Sequence, residues 1–198
     1  MLQQRIQQHF FDSADLQYAA AESLARPIGD AVQALVGCLT AGGKALTCGG
    51  GASAAAAEQL AAGFVDRFER DRPGLAALSL VGNAILPTVR PDGDDAAQPL
   101  ARQVQALGAP GDVLFVAGAD GATAPLLAAI RAAHTREMTV IALGGHDPAR
   151  WREALTDTDV WIGVPHERAA RVREVHLLVV HCLCDAVDLL LLGEEDSD

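Results

Sequence analysis

The sequence predicts an α/β domain: a five-stranded parallel sheet covered by helices on both faces, preceded by two leading helices. Apolar runs at 45–48, 75–80, 113–117, 139–143 and 160–164 alternate with stretches of helical spacing. Near-continuous apolar runs of strand length between helices mark strands buried on both faces and joined by right-handed crossovers. Residues 1–43 contain no such run and read as helix throughout. With 198 residues, 50% of them apolar, the chain can bury one core without disulfides.

In the first leading helix, 3–24, Ile6, Phe10, Phe11, Leu16, Ala19 and Ala20 fall at helical intervals among glutamines. Pro27 opens the second, where Ile28, Val32, Leu35, Val36 and Leu39 recur every three or four residues until Gly42-Gly43 stops it. Later helices are expected at 53–68, 97–107, 123–134, 148–155 and 167–192, the last apolar from Leu177 onward and therefore buried around much of its circumference. Segment 87–98 is short enough for an ordered loop, so no boundary divides the sheet domain. The expected organisation is 1–43 as leading helices, 44–193 as the sheet domain and 194–198 as a frayed acidic tail.

A net charge of −11 argues against direct binding of nucleic acid or an anionic membrane face, and favours basic protein partners. The opening residues are polar and glutamine-rich, unlike a signal peptide. The run from Leu189 to Leu192 is too short to cross a bilayer, and Asp185 and Asp188 interrupt what precedes it. Cys38, Cys48, Cys182 and Cys184 lack CxxC spacing and lie in apolar surroundings, as small core residues of a reduced cytoplasmic protein.

In a sheet of this kind ligands bind beyond the carboxyl ends of the strands, which brings forward the loops at 49–53, 79–83, 118–123 and 144–148. Leu46-Thr-Cys-Gly-Gly-Gly-Ala-Ser53 reads as strand, glycine turn and helix start, a corner suited to an anion. It matches neither the Walker loop nor the dinucleotide fingerprint. Ser53 and Thr123 each open a helix, where a hydroxyl can cap the first turn and hold a phosphate oxygen.

Other candidates have plainer readings. His176 and His181 stand about 140° apart on an ideal helix and need not share a face. His176 is expected to be structural, paired with another side chain near a subunit contact. For His181, flanked by core-like Val180 and Cys182, packing competes with a pocket role. Glu174 and Arg171 suit an exposed ion pair, and Asp185 with Asp188 a solvated or interfacial stripe. His134 and His146 read as surface residues, Trp151 and Trp161 as packing residues, and 90–95 as an acidic surface turn lacking calcium-loop spacing.

Several stretches carry a family resemblance: Cys48-Gly-Gly-Gly-Ala-Ser53, Asp66-Arg-Phe68 with Asp71-Arg-Pro-Gly-Leu75, 103–107 with Gly111-Asp-Val-Leu114, Met138-Thr-Val-Ile-Ala-Leu143, and Arg171-Val-Arg-Glu-Val-His176. Together they resemble the sugar isomerase (SIS) domain family, in particular the phosphoheptose isomerases and their relative, the DnaA initiator-associating protein. His181-Cys-Leu-Cys-Asp185 followed by Asp188 is similar to the initiator-associating branch. The resemblance implies a flavodoxin-like three-layer α/β/α sandwich, with leading helices packed between subunits of a homotetramer.

It also implies which positions carry chemistry. The catalytic base falls on Gly63, which has no side chain, and the acid on His181; losing one such group removes a factor of about 10² to 10⁴. The zinc positions of some members read Gln59, Gly63, Arg173 and His181, a poor donor set, so no zinc and no other cofactor is expected. The phosphate-binding positions are Gly50, Gly51, Ser53, Asp120 and Thr123. Their second loop, Gly118-Ala-Asp-Gly-Ala-Thr123, lacks family hydroxyls and carries a carboxylate. Leu191 and Leu192 match a hydrophobic pair that contacts the initiator, with helix-end burial as the competing reading.

The expectation is a non-catalytic cytoplasmic regulator that presents repeated docking surfaces to DnaA, with a degenerate phosphosugar pocket and no direct contact with nucleic acid or membrane. The alternatives are a sedoheptulose 7-phosphate isomerase and a sugar-phosphate sensor.

Overall fold

A computed structural model describes residues 1–82 and 98–194. Among them the chain forms six helices, α1 (Leu2–Thr40), α2 (Ala54–Val65), α3 (Gln98–Leu107), α4 (Ala124–Thr135), α5 (Ala149–Ala154) and α6 (Ala169–Leu192). The strands are β1 (Ala45–Gly49), β2 (Ala77–Ser79), β3 (Val113–Gly118), β4 (Thr139–Gly144) and β5 (Val160–Gly163). The expected loop at 87–98 and turn at 90–95, and the end of the acidic tail, lie outside the described residues.

All strand pairings are parallel, in the order β2-β1-β3-β4-β5. The apolar runs become strands because alternate residues serve two cores. Ala45, Val113, Phe115, Ala117, Ile141 and Leu143 pack with α1, α2 and α6. Leu46, Cys48, Leu114, Val116, Val140 and Ala142 pack with α3, α4 and Trp151 of α5. With apolar surface on both faces the sheet becomes the middle layer of an α/β/α sandwich, as expected.

The leading segment is one helix and not two. Pro27 lies inside α1, although an internal proline removes a hydrogen bond and costs about 3 kcal/mol. Buried Leu16, Ala20, Leu24, Ala31, Leu35 and Cys38 form one stripe running past it. Burial of that stripe offsets the cost, and Ser23, whose carbonyl would have bonded the missing N–H, is exposed to water.

Helix α2 stops at Val65, short of the expected Phe68. Arg72 Nη2 donates to the Gly63 carbonyl at 2.8 Å, and Nη1 to that of Phe64 at 2.9 Å. These late carbonyls are thereby satisfied without another turn. Arg72 Nε also meets Asp188 Oδ1 of α6 at 2.5 Å, with both side chains buried. Asp188 is therefore half of a buried ion pair and not part of a solvated stripe; Asp185 alone is exposed.

Helix α6 is the one helix among the described residues long and apolar enough to cross a membrane. Here it packs against α1 and α2, burying Val172, Val175, Val179, Val180, Leu183 and Val187. Cys38, Cys48 and Cys184 are buried free thiols, whereas Cys182, also expected in the core, is only partly buried beside the groove between α1 and α6; burial pushes the Cys48 thiol up to about 12.

Removing one partner of a buried pair strands the other charge. Asp188→Ala is expected to lower unfolding free energy by about 3–5 kcal/mol in denaturant titration. A loss below about 1 kcal/mol would show that the pair is not structural.

Candidate functional site

Strand order reverses between β1 and β3, so the loops leaving their carboxyl ends diverge there and leave a crevice. Both glycine loops meet at this point. The Gly50 amide donates to the Ala117 carbonyl at 2.9 Å, and a side chain at Gly50 would lie 3.8 Å from Thr123 Oγ1. Gly51 has φ of +54°, a conformation that favours glycine. At Gly49 an added Cβ would come within 2.6 Å of the Ser53 carbonyl oxygen, so the turn closes only over glycine.

Ser53 does not cap α2. Its backbone is already helical and its side chain makes no capping bond. The hydroxyl instead accepts the Ala119 N–H at 2.9 Å, clasping the first loop to the second, and Ser53 is 1% exposed. Thr123 holds the extended N-cap conformation before α4, but its hydroxyl likewise makes no capping bond. Thr123 and Ala124 are exposed, so the Thr123 hydroxyl and the Ala124 amide remain open to an anion, whereas Pro125 has no N–H and the Leu127 N–H is taken by the Thr123 carbonyl.

Asp120 points away from a purely repulsive role. Its Oδ2 lies 3.4 Å from Arg173 Nη1 of α6, and the two charges offset each other. Sequence reasoning treated Arg173 only as a failed metal ligand. A β3–α4 loop facing α6 was the signal that could have paired them.

Gly63 on α2 and His181 on α6 meet different neighbours. A Cβ at Gly63 would lie 2.9 Å from Cys184 Sγ, so the thiol occupies the space above the expected base position. The His181 ring packs on Phe68 with centroids 5.4 Å apart. For zinc the donor set does not fit: Gln59 is exposed, Gly63 offers nothing, and the Arg173 guanidinium beside Asp120 repels a cation.

The remaining sequence candidates are anchored more firmly than expected. His176 pairs not with a side chain but with the Gly144 carbonyl, Nε2 donating at 3.1 Å, while buried Nδ1 has no partner. Arg171 is buried; it donates to the His9 carbonyl at 2.6 Å and meets Glu174 at 2.6 Å, and Glu174 also accepts from Ser13. That network docks the front of α1 on α6, in place of an exposed pair. His134 is held by Asp159 at 2.8 Å instead of standing free on the surface. Leu191 packs against the core, whereas Leu192 is exposed. Trp151 and Trp161 pack together as expected, their rings 5.5 Å apart.

A family model described as the SIS domain matches residues 8–145. The chain belongs to the SIS-domain family. It is 57% identical to a phosphoheptose isomerase of Methylibium petroleiphilum over 196 residues, covering 99% of this chain and 98% of that protein. It is 41% identical to the DnaA initiator-associating protein DiaA of Photorhabdus laumondii, covering 98% of each. The solved phosphoheptose isomerase of Neisseria gonorrhoeae superposes with a TM-score of 0.88 at 37% identity, over 95% of this chain and 99% of that one. Relatives of both kinds fit the SIS resemblance, but this similarity supports the isomerase alternative better than the initiator-associating reading, and gives no support to a leaning against enzyme activity.

Burial lowers the His176 pKa to about 4, below the ordinary imidazole value of 6.5. The unfolded chain therefore takes up this proton first, and stability present above pH 6.5 is lost as pH falls toward 4. The expected loss from this group is about 3 kcal/mol, read by denaturant titration at successive pH values. His176→Gln keeps a donor for the Gly144 carbonyl and is expected to remove that part of the pH slope; an unchanged slope would assign it to other groups.

Proposed function

We propose that this chain binds a sugar phosphate at the switch-point loops and acts on sedoheptulose 7-phosphate as an aldose–ketose isomerase. The observation that carries this reading is the near full-length similarity to a protein named phosphoheptose isomerase. Anion binding falls to the amides of Gly51 and Ala124 and the Thr123 hydroxyl, while the Gly50 amide holds the loop to the Ala117 carbonyl and Ser53 acts from behind through Ala119. An unpaired Asp120 about 4 Å from the phosphate would cost about 4 kcal/mol at an effective dielectric near 20. Its pairing with Arg173 reduces that penalty.

The reaction removes a proton from the hydroxyl-bearing carbon beside the carbonyl and protonates the carbonyl oxygen to give an enediol; a proton then returns to the former carbonyl carbon while the other enediol hydroxyl loses its proton and becomes the new carbonyl. His181 is the acid–base group carried over for it, and Gly63 supplies none. Isomerisation should therefore run about 10²- to 10⁴-fold below an enzyme with both groups, and added zinc should not raise it. Adding Gly63→Glu to Cys184→Ala, which clears the space that the thiol fills, should raise turnover about 10²-fold or more over Cys184→Ala alone. Complete absence of sedoheptulose 7-phosphate turnover in the parent and both variants would overturn the isomerase reading.

The thiol packed over Gly63 favours a second reading, a non-catalytic DnaA-associating scaffold that keeps a sugar-phosphate site as a sensor. In it Leu192, exposed at the end of α6, contacts the initiator, and Leu191 supports it from the core side. Under either reading we place the protein in the cytoplasm as a homotetramer. Exposed Leu2, Ile6, Phe10 and Phe11 of α1, and an apolar groove between α1 and α6 lined by Leu24, Ile28 and Leu178, support that assembly. Leu192→Ala should reduce retention on immobilised DnaA several-fold; undiminished retention would remove this contact.

A further inference from the structure

A pocket of about 250 Å³ opens where the segment following α2 meets the last turns of α6. Glu69, Asp185, Asp188 and Glu194 line it, with Phe68 and Leu189 as apolar walls. Arg70, which also lines it, donates to the Gly193 carbonyl at 2.6 Å, and Arg72, behind the lining, holds Asp188 Oδ1. Asp188 itself is 1% exposed, and its second oxygen, Oδ2, has no hydrogen-bond partner. A buried carboxylate oxygen without a donor is unusual in a folded protein and is readily explained by a missing one.

The donor is not set up to be a metal ion, because no group of three or more ligating side chains is gathered among the described residues. Carboxylates beside a phenyl ring suit a planar guanidinium, which offers paired N–H donors and packs its stem on apolar surface. Leu189, Leu190 and Leu192, each more than two-fifths exposed, lie on the same last turns of α6. A small free cation would leave them uncovered, whereas a protein segment would cover them. The net charge of −11 attracts a basic partner over longer range.

We propose that this pocket receives an arginine side chain of a protein partner, presented between apolar residues that cover the leucines at the end of α6. The proposal rests on Asp188 and its pocket, independently of whether the chain isomerises a sugar.

The test is amide-resolved NMR of the full chain titrated with acetyl-Leu-Arg-Leu-amide, its citrulline counterpart, spermidine and magnesium chloride. The arginine peptide should shift the amides of Phe68 to Arg70 and Asp185 to Leu189, and the citrulline peptide should leave them in place. Asp188→Asn disturbs the buried pair and risks unfolding, so exposed Asp185→Asn is the working variant. It should weaken the arginine peptide about tenfold, the scale of one charge-assisted hydrogen bond, while Asp157→Asn, at an exposed site outside the pocket, should not. Equal shifts from the citrulline peptide would overturn the proposal. So would shifts from spermidine or magnesium without any from the arginine peptide, or equal weakening by the two aspartate variants.

Discussion

The Arg72 guanidinium joins three parts of the molecule by hydrogen bonds. It ends α2 by taking the carbonyls of Gly63 and Phe64, anchors the segment leading to β2, and reaches α6 through Asp188. A planar cation with five donors can do this where lysine, a point charge, could not. Both Gly63, through its carbonyl, and the acidic pocket, through Asp188, are tied to this junction. Its charge is balanced on one oxygen of Asp188 only, which leaves the other as the pocket's buried acceptor.

The chemistry of the two sites follows from where hydrogen-bond donors are in surplus. At the switch point, loop amides and the start of α4 present donors, and Ser53 spends its hydroxyl on holding the loops together. Under the proposed function, anion recognition there depends on backbone, which the change of side chains in the second loop leaves in place. Acid–base chemistry is different, because it needs a side chain at one place. At Gly63 that side chain is absent, and the Cys184 thiol, its pKa pushed up to about 12 mainly by burial, is no substitute at neutral pH. Binding and turnover are thus separable in this fold.

The layers of the fold were legible in the sequence because burial on both faces of a sheet leaves continuous apolar runs. Leu114 and Phe115 illustrate it, adjacent in the chain and buried in opposite cores. Continuity of α1 through Pro27 was not legible, since the local rule for proline is outweighed by a stripe whose burial depends on α6 and the sheet. Glycines at 49–51 marked the turn between β1 and α2, but the direction of the Ser53 hydroxyl depends on Ala119, far away in sequence. Arg72 and Asp188 lie apart in an irregular segment and an apolar helix, and no spacing rule links them. That the resemblance puts the base position on Gly63 is a matter of sequence; the thiol above Gly63 required the packing of α6.

Charge sets the relation between the two sites. A net −11 repels a doubly charged sugar phosphate and attracts cationic protein segments, over a range of about 8 Å at physiological ionic strength. A phosphate must therefore be held by short-range donors, and the Asp120–Arg173 pair keeps the nearest carboxylate from adding to the repulsion. The pocket at the end of α6 works with the field and needs only a donor for Asp188. One corner is built from backbone amides against an unfavourable field, the other from carboxylates within a favourable one. Salt should accordingly help the first site and hinder the second, because screening weakens repulsion and attraction alike.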